Sequence, residues 1–249
     1  MEWTDEGIVL SARKHGESAV IASLLTREHG RHPGLVRGGA GARARGLYQP
    51  GNRVMAQWRG RLAEHLGSYR CELARSTAAG VLDDALALAV LRAACSVTET
   101  ALPERHPYGR VYDALAALLD AVAAGERGLV ALYVRWEVVL LAEIGYGLDL
   151  SQCAATGRND NLAYVSPKTG RAVSLSAGEP YRDSLLILPG FLAGALPPGG
   201  SVPQGDLLAG LRLTGHFLDR HVLSLGIKPP APRRQLETMV AAPRRPTIY

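Results

Sequence analysis

The chain is poor in several residue types, and each shortage removes a class of function. Three cysteines, Cys71, Cys95 and Cys153, are an odd number spread widely along 249 residues. They do not make a disulfide framework and suit a reducing compartment. Aromatic residues are 6% of the chain, and the first 76 residues hold only Trp3, Tyr48, Trp58 and Tyr69, whereas a surface that holds single strands mainly by stacking needs exposed aromatics along it. No apolar run is long enough for a membrane span, since the uncharged stretch Leu185 to Gly200 contains Pro189, Pro197 and Pro198. The beginning, Met1-Glu2-Trp3-Thr4-Asp5-Glu6, is acidic and has no secretory pattern. The expected location is therefore cytoplasmic.

Catalytic signatures are also missing. There is no G-x-S-x-G, no Walker loop and no H-E-x-x-H. Gly39-Ala40-Gly41-Ala42-Arg43-Ala44 matches G-x-G-x-x-A, but Gly46 and Pro50-Gly51 follow so closely that no helix is expected there to hold a pyrophosphate. His29 and His32 have no third ligand at metal spacing, and His216 and His221 fall on different helix faces. The expectation is a protein that is not an enzyme.

What the chain does have is positive charge in one place. Its net charge is +5; residues 1–76 hold twelve Lys and Arg against seven Asp and Glu, and the remainder sixteen against sixteen. From Arg27 to Arg61 there are eight arginines and a single acid, Glu28. A segment of one sign sets up a field that attracts polyanions.

The same region reads as five short strands: Gly7 to Arg13, Ala19 to Thr26, Arg31 to Arg37, Asn52 to Arg61 and Leu66 to Ala74. Gly-rich and Pro-Gly breaks separate them. Such a small sheet is best closed into an OB-like or SH3-like barrel, which removes its edges, and the OB-like form is favoured. After Gly80 the apolar period changes from two to about 3.6, with helices expected at about 82–101, 108–124, 129–144 and 206–225. The fold class expected is α+β with two domains: an N-terminal OB-fold β-barrel over residues 1–78, then a mainly α-helical domain over 79–228 that includes an irregular lobe at 146–184. Residues 229–249 form a basic, Pro-rich tail, expected to be partly disordered.

The candidate nucleic-acid track is Arg37, Arg43, Arg45, Arg53, Arg59 and Arg61, with Arg13, Lys14, Arg27 and Arg31 at its margins. Gly38 to Gly46 is read as a flexible loop that lets guanidinium groups approach phosphates. Trp58 and Tyr69 share faces with other apolar residues and are assigned to the core; Tyr48 is the stacking candidate. Binding dominated by phosphates is indifferent to base sequence and steeply salt-dependent. An OB-fold RNA-binding factor uses the same chemistry and stands as the alternative.

Gly7-Ile8-Val9-Leu10, His15-Gly16-Glu17-Ser18 and Leu24-Leu25-Thr26-Arg27-Glu28-His29-Gly30 resemble the N-terminal region of the RecO family of bacterial recombination mediators. Arg37-Gly38-Gly39-Ala40 and Leu47-Tyr48-Gln49-Pro50-Gly51 extend the resemblance in the same order. It implies an OB-fold domain and a helical domain that bind single- and double-stranded DNA and anneal complementary strands. It also implies contact with the C-terminal tail of single-strand binding protein, and work with RecR to assist RecA loading. Some members hold zinc with two C-x-x-C pairs. Here the corresponding residues are Cys153-Ala154-Ala155-Thr156 and Ser174-Leu175-Ser176-Ala177. One thiol cannot complete a tetrahedral site, so no zinc or other cofactor is expected.

Overall fold

The computed structural model describes residues 1–194, 201–222 and 230–242, and of residues 43, 221 and 222 only the backbone. The chain packs as two compact units, Met1–Glu126 and Arg127–Tyr249.

The first unit is built on β1 (Glu2–His15), β2 (Ala19–Thr26), β3 (Gly30–Val36), β4 (Arg53–Arg59) and β5 (Ser68–Arg75), closed in the order β1-β2-β3-β5-β4. Alternation explains the closure. Along β4, Val54, Ala56 and Trp58 are buried while Met55, Gln57 and Arg59 are exposed. With Val9, Val20, Ala22, Leu24, Val36 and Tyr69 they fill the barrel. β1 starts at Glu2, earlier than the expected Gly7. Its first half pairs with β4 and its second half with β2, with a register shift between Val9 and Ser11. A bulge of this kind bends a strand enough to serve two neighbours. Trp3 and Asp5 lie half-buried on that first half, and the acids around them hid its alternation.

The Gly38 to Gly46 segment is not simply a flexible loop, and the expectation that no helix fits there is overturned. Helix α1 (Ala42–Leu47) follows Gly41 directly. Ala40, Ala44 and Leu47 pack against the barrel core. Burial of this small apolar face sustains a helix far too short to be stable alone.

Beyond a 3-10 turn at Ala78–Val81 come α2 (Ala85–Ala101) and α3 (Gly109–Ala123). Asp84 caps α2, its Oδ1 accepting from the amides of Leu86 and Ala87 at 2.9 Å each. The helix expected at about 82–101 thus starts three residues later, behind this N-cap.

The second unit contains α4 (Leu129–Glu143), a small sheet in the order β7-β6-β8, and α7 (Gln204–Phe217). The strands are β6 (Leu162–Val165), β7 (Ala172–Ser174) and β8 (Leu186–Ile187), with the single-turn helices α5 (Leu175–Gly178) and α6 (Gly190–Ala193) after β7 and β8. A π-helical turn, Leu218–Val222, follows α7; the rest of the helix expected to reach residue 225 lies outside the described residues.

Of the Pro-rich tail, expected to be partly disordered, residues 229 and 243–249 lie outside the described residues, and part forms helix α8 (Ala231–Ala241). Its prolines stand where a helix tolerates them, Pro230 at the N-cap and Pro232 in the first turn. Arg233 is drawn into the core. Its Nε donates to Glu137 Oε1 at 2.7 Å and its guanidinium to Glu137 Oε2 at 3.1 Å and to the Leu211 carbonyl at 2.8 Å. Tyr133 and Thr214 donate their hydroxyls to the same carboxylate. Glu137 is wholly buried and the Arg233 side chain 4% exposed. Burial opposes the charged guanidinium, but Glu137 outweighs it and holds the Arg233 pKa above its ordinary value.

Candidate nucleic-acid interface

The structure divides the candidate arginines into two sets. One set faces acids on α2, α3 and the link between them. Arg13 pairs with Glu99 at 3.1 Å, and Arg27 forms a two-pronged pair with Asp113. Arg31 donates through Nε to the Leu102 carbonyl at 2.7 Å and lies 3.3 Å from Glu104. Arg53 reaches Asp120 at 2.7 Å and the Ala116 carbonyl at 2.8 Å, and Arg75 meets the same Asp120.

Exposure separates the members of this set. The Arg13 and Arg27 side chains are 75% and 55% exposed, so those ion pairs contribute little and a phosphate can compete for either guanidinium. Arg31 and Arg53 are 18% and 15% exposed and are committed to the link between α2 and α3 and to α3, respectively. Arg53 therefore leaves the track. The sequence shows acids at Glu99, Asp113 and Asp120 but not that they point at the barrel.

The other set has no counter-ion. Arg37, Arg45, Arg59 and Arg61 are exposed and make no ion pair or side-chain hydrogen bond with the described residues, and the same holds for Lys14. The side chain of Arg43, on α1, lies outside the described placements. Arg70, on β5, is likewise exposed and unpaired, and the sequence reading missed it. Its neighbour two positions on is Glu72, so the strand resembled an ordinary mixed-charge face.

Arg37, Arg59 and Arg70 line one groove of about 1590 Å³. Strand topology creates it. β3 and β5 run parallel but meet only at Leu35 and Ser68, so the outer edge of β5 beyond Ser68 has no partner strand. The first residue after β3 is Arg37, and α1 forms the opposite wall through Ala44 and Leu47. Glu2 and Glu72 also line the groove. Three guanidinium groups held apart by strand register, with Arg45 and Arg61 near its ends in the chain, suit successive phosphates of a polyanion better than one compact anion.

The aromatic residues of the barrel are turned inward. Trp3 stacks on His29 with centroids 4.1 Å apart and on Trp58 at 5.8 Å, and His32 and Tyr69 close the cluster edge-on. Trp58 and Tyr69 belong to the core as expected. Tyr69 lies so close over β3 that a Cβ at Gly34 would come within 2.3 Å of its ring. Tyr48, the stacking candidate, is corrected: it is 5% exposed, and its hydroxyl is turned toward Cys71. The α1 packing that buries it was the element the sequence concealed.

His32 gives the barrel a pH dependence. Burial pushes its pKa from 6.5 down to about 4, against a hydrogen bond to the Pro33 carbonyl that works the other way. The folded pKa lies below the unfolded one, so the stabilising contribution is complete above about pH 6.5 and is lost as pH falls through 4. From the shift of 6.5 to about 4, the expected loss between pH 7 and pH 4 is about 3 kcal/mol. Denaturant titrations at the two pH values, with His32→Gln as comparison, check this; the variant shows a smaller loss.

The lobe of the second unit holds a single thiol, Cys153. At the four positions where zinc ligands would stand, this chain has Cys153, Thr156, Ser174 and Ala177. The Cys153 sulfur is instead hydrogen-bonded: the Ser174 amide donates to it at 3.2 Å, and it lies 3.4 Å from Ser174 Oγ. Burial would raise this thiol, but Ser174 and Thr156 bring its pKa down to about 6. Among the described residues no three His, Cys, Asp or Glu side chains gather as metal ligands. Chelation by EDTA is expected to leave the Tm unchanged, whereas Cys153→Ala strands the buried Ser174 amide and costs about 1–3 kcal/mol.

No helix of the described residues is long and apolar enough to cross a membrane. The family model described as recombination protein O N terminal matches residues 1–77, and recombination protein O C terminal matches residues 82–228. The chain is 57% identical over 227 residues to the DNA repair protein RecO of Rhodospirillum centenum, covering 90% of this chain and 88% of that protein. It is 53% identical over 229 residues to the DNA repair protein RecO of Rhodospirillum rubrum, covering 90% of each. It is 50% identical over 236 residues to that of Methylobacterium nodulans, covering 94% and 95%. A basic OB-fold barrel followed by a mainly helical part, matched along nearly its whole length by these proteins, places the chain in the RecO family of DNA repair proteins.

Proposed function

We propose that this chain is a recombination mediator that binds single- and double-stranded DNA without sequence preference, anneals complementary strands, and performs no covalent chemistry. The observation that carries the reading is the set of arginines without counter-ions on and around one groove of the barrel: Arg37, Arg45, Arg59, Arg61 and Arg70. Two strands repel through their phosphates. A protein that neutralises phosphates while Tyr48, Trp58 and Tyr69 of its barrel stay buried lowers that repulsion and leaves most bases free to pair. Membership of a DNA repair family supports DNA as the polyanion.

The finer assignments follow from the family resemblance. The chain contacts the C-terminal tail of single-strand binding protein and acts with RecR to assist RecA on coated single strands, in the cytoplasm and at the nucleoid. It does so without zinc.

Strand annealing across a salt series, with and without single-strand binding protein, tests the proposal. Annealing that needs no ATP and weakens steeply with salt is expected. Annealing that requires a nucleotide, or is indifferent to salt, overturns it. Equal or tighter binding of the matched RNA strand would favour the alternative, an OB-fold RNA-binding factor.

A further inference from the structure

The connection between β4 and β5 is rigid, yet it exposes its leucines. Residues 60–67 begin directly after the last ladder pair, Arg59 and Ser68. Gly60 exchanges two backbone hydrogen bonds with Met1, at 2.8 and 3.0 Å. The His65 amide donates to the Leu62 carbonyl at 3.2 Å, closing a turn, and the Leu35 amide donates to the Gly67 carbonyl at 3.1 Å. The Trp58 indole N–H donates to the Leu66 carbonyl at 3.0 Å. Arg105, with a left-handed φ of 61°, donates to the carbonyls of Ala63 at 3.1 Å and His65 at 3.4 Å. Gly60 and Gly67 lie against the Trp58 ring, where a Cβ would come within 2.5 and 2.4 Å of it.

A connection fixed at so many points cannot fold its side chains away. Leu62 is 43% and Leu66 36% exposed, on either side of the same turn. The unpaired arginines Arg59 and Arg61 stand at the root of the connection. An apolar tip flanked by guanidinium groups complements a ligand with anionic and apolar parts in alternation, which a nucleic-acid strand offers at every nucleotide. Tyr48, Trp58 and Tyr69 are buried, and of the exposed apolar side chains of the barrel Leu73 lies within the arginine groove, whereas Leu62 and Leu66 stand out on the connection beside Arg59 and Arg61.

We propose that Leu62 and Leu66 form an apolar wedge that enters the base stack of a DNA single strand whose phosphates lie on Arg59 and Arg61. The proposal rests on the reading of the chain as a DNA-binding mediator, and it adds one local contact to bases otherwise left free. By parting a stacked step, the wedge presents unstacked bases to a complementary strand.

The test uses the full chain and an oligodeoxyadenylate with one internal 2-aminopurine, whose emission rises on unstacking. At saturation the unaltered protein is expected to raise emission about twofold or more. The Leu62→Ala/Leu66→Ala variant is expected to bind within about threefold of the parent affinity, with the same salt slope but no rise in emission. Both side chains are partly in solvent, so an unchanged melting curve confirms its fold, and Leu62→Phe should keep the rise. A rise that survives the double substitution, or saturation of the parent protein without a rise, overturns the wedge and leaves DNA binding standing. Failure of the parent protein to bind DNA overturns both readings. Self-association of the parent that the double variant abolishes would assign the leucines to a second copy and also overturn the wedge.

Discussion

Replacing Arg59 and Arg70 together by glutamate lowers the affinity for single-stranded DNA by on the order of a hundredfold near 50 mM salt, and flattens the salt slope by about 1.4. Each guanidinium on a single-strand phosphate adds roughly 0.7 to that slope through released counter-ions. Both residues are exposed, unpaired and on the same groove, so the double substitution removes contacts without disturbing the core.

Arg53→Glu gives the opposite pattern, although Arg53 stands in the same arginine-rich stretch. Its side chain is 15% exposed and pairs with Asp120 at 2.7 Å, so the new carboxylate faces another in a partly desolvated place. A loss of about 3 kcal/mol or more in stability is expected, with the salt slope of the remaining folded protein unchanged. Fluorescence anisotropy of a labelled oligonucleotide and denaturant unfolding measure the two effects separately. Equal effects of both variants on the slope would mean that the division into free and committed arginines is wrong.

Arg233→Met destabilises the second unit by about 3–5 kcal/mol, because it leaves the Glu137 carboxylate buried with no cation. Tyr133 and Thr214 still donate to that carboxylate, but two hydroxyls do not balance a full charge at a residue with no exposed surface. Replacing both partners, Glu137→Met with Arg233→Met, is expected to restore at least half of the loss, since apolar groups of similar volume need no counter-charge. The same single substitution should expose the α8 segment to proteolysis before the rest of the unit. Denaturant unfolding of both variants and limited proteolysis of Arg233→Met check these outcomes. A single variant as stable as the parent would mean that Arg233 does not anchor α8.

The barrel was legible because each of its strands alternates or ends at a turn signal. Val54, Ala56 and Trp58 against Arg53, Met55, Gln57 and Arg59 is a pattern that backbone geometry enforces. Its extension to Glu2 was not legible, since Trp3 and Asp5 acquire their half-buried places only through pairing with β4. Helix α1 was concealed by glycines on both sides, and its stability comes from packing against a barrel that must already exist.

The site was half legible for a related reason. Local sequence shows where positive charge is dense, which drew attention to Arg37, Arg59 and Arg61, all exposed in the fold. It does not show where acids some sixty residues later will lie, and Asp120, paired with Arg53, removes the residue in the middle of the track. Arg70 was lost to the opposite effect, for Glu72 nearby gave it a neighbour in sequence but no ion pair in the fold. The ordering of α8 depended on Glu137, about a hundred residues away, and no pattern within the tail reveals that partner.

The dependence of single-strand affinity on salt is the most direct measure of the central claim, that unpaired arginines around the barrel groove bind DNA by its phosphates. With the five arginines Arg37, Arg45, Arg59, Arg61 and Arg70 engaged, a plot of log affinity against log salt between about 50 and 200 mM should fall with a slope of about −3 to −4, whatever the base sequence. A slope shallower than about −1, or an affinity that follows base sequence more than salt, would contradict it.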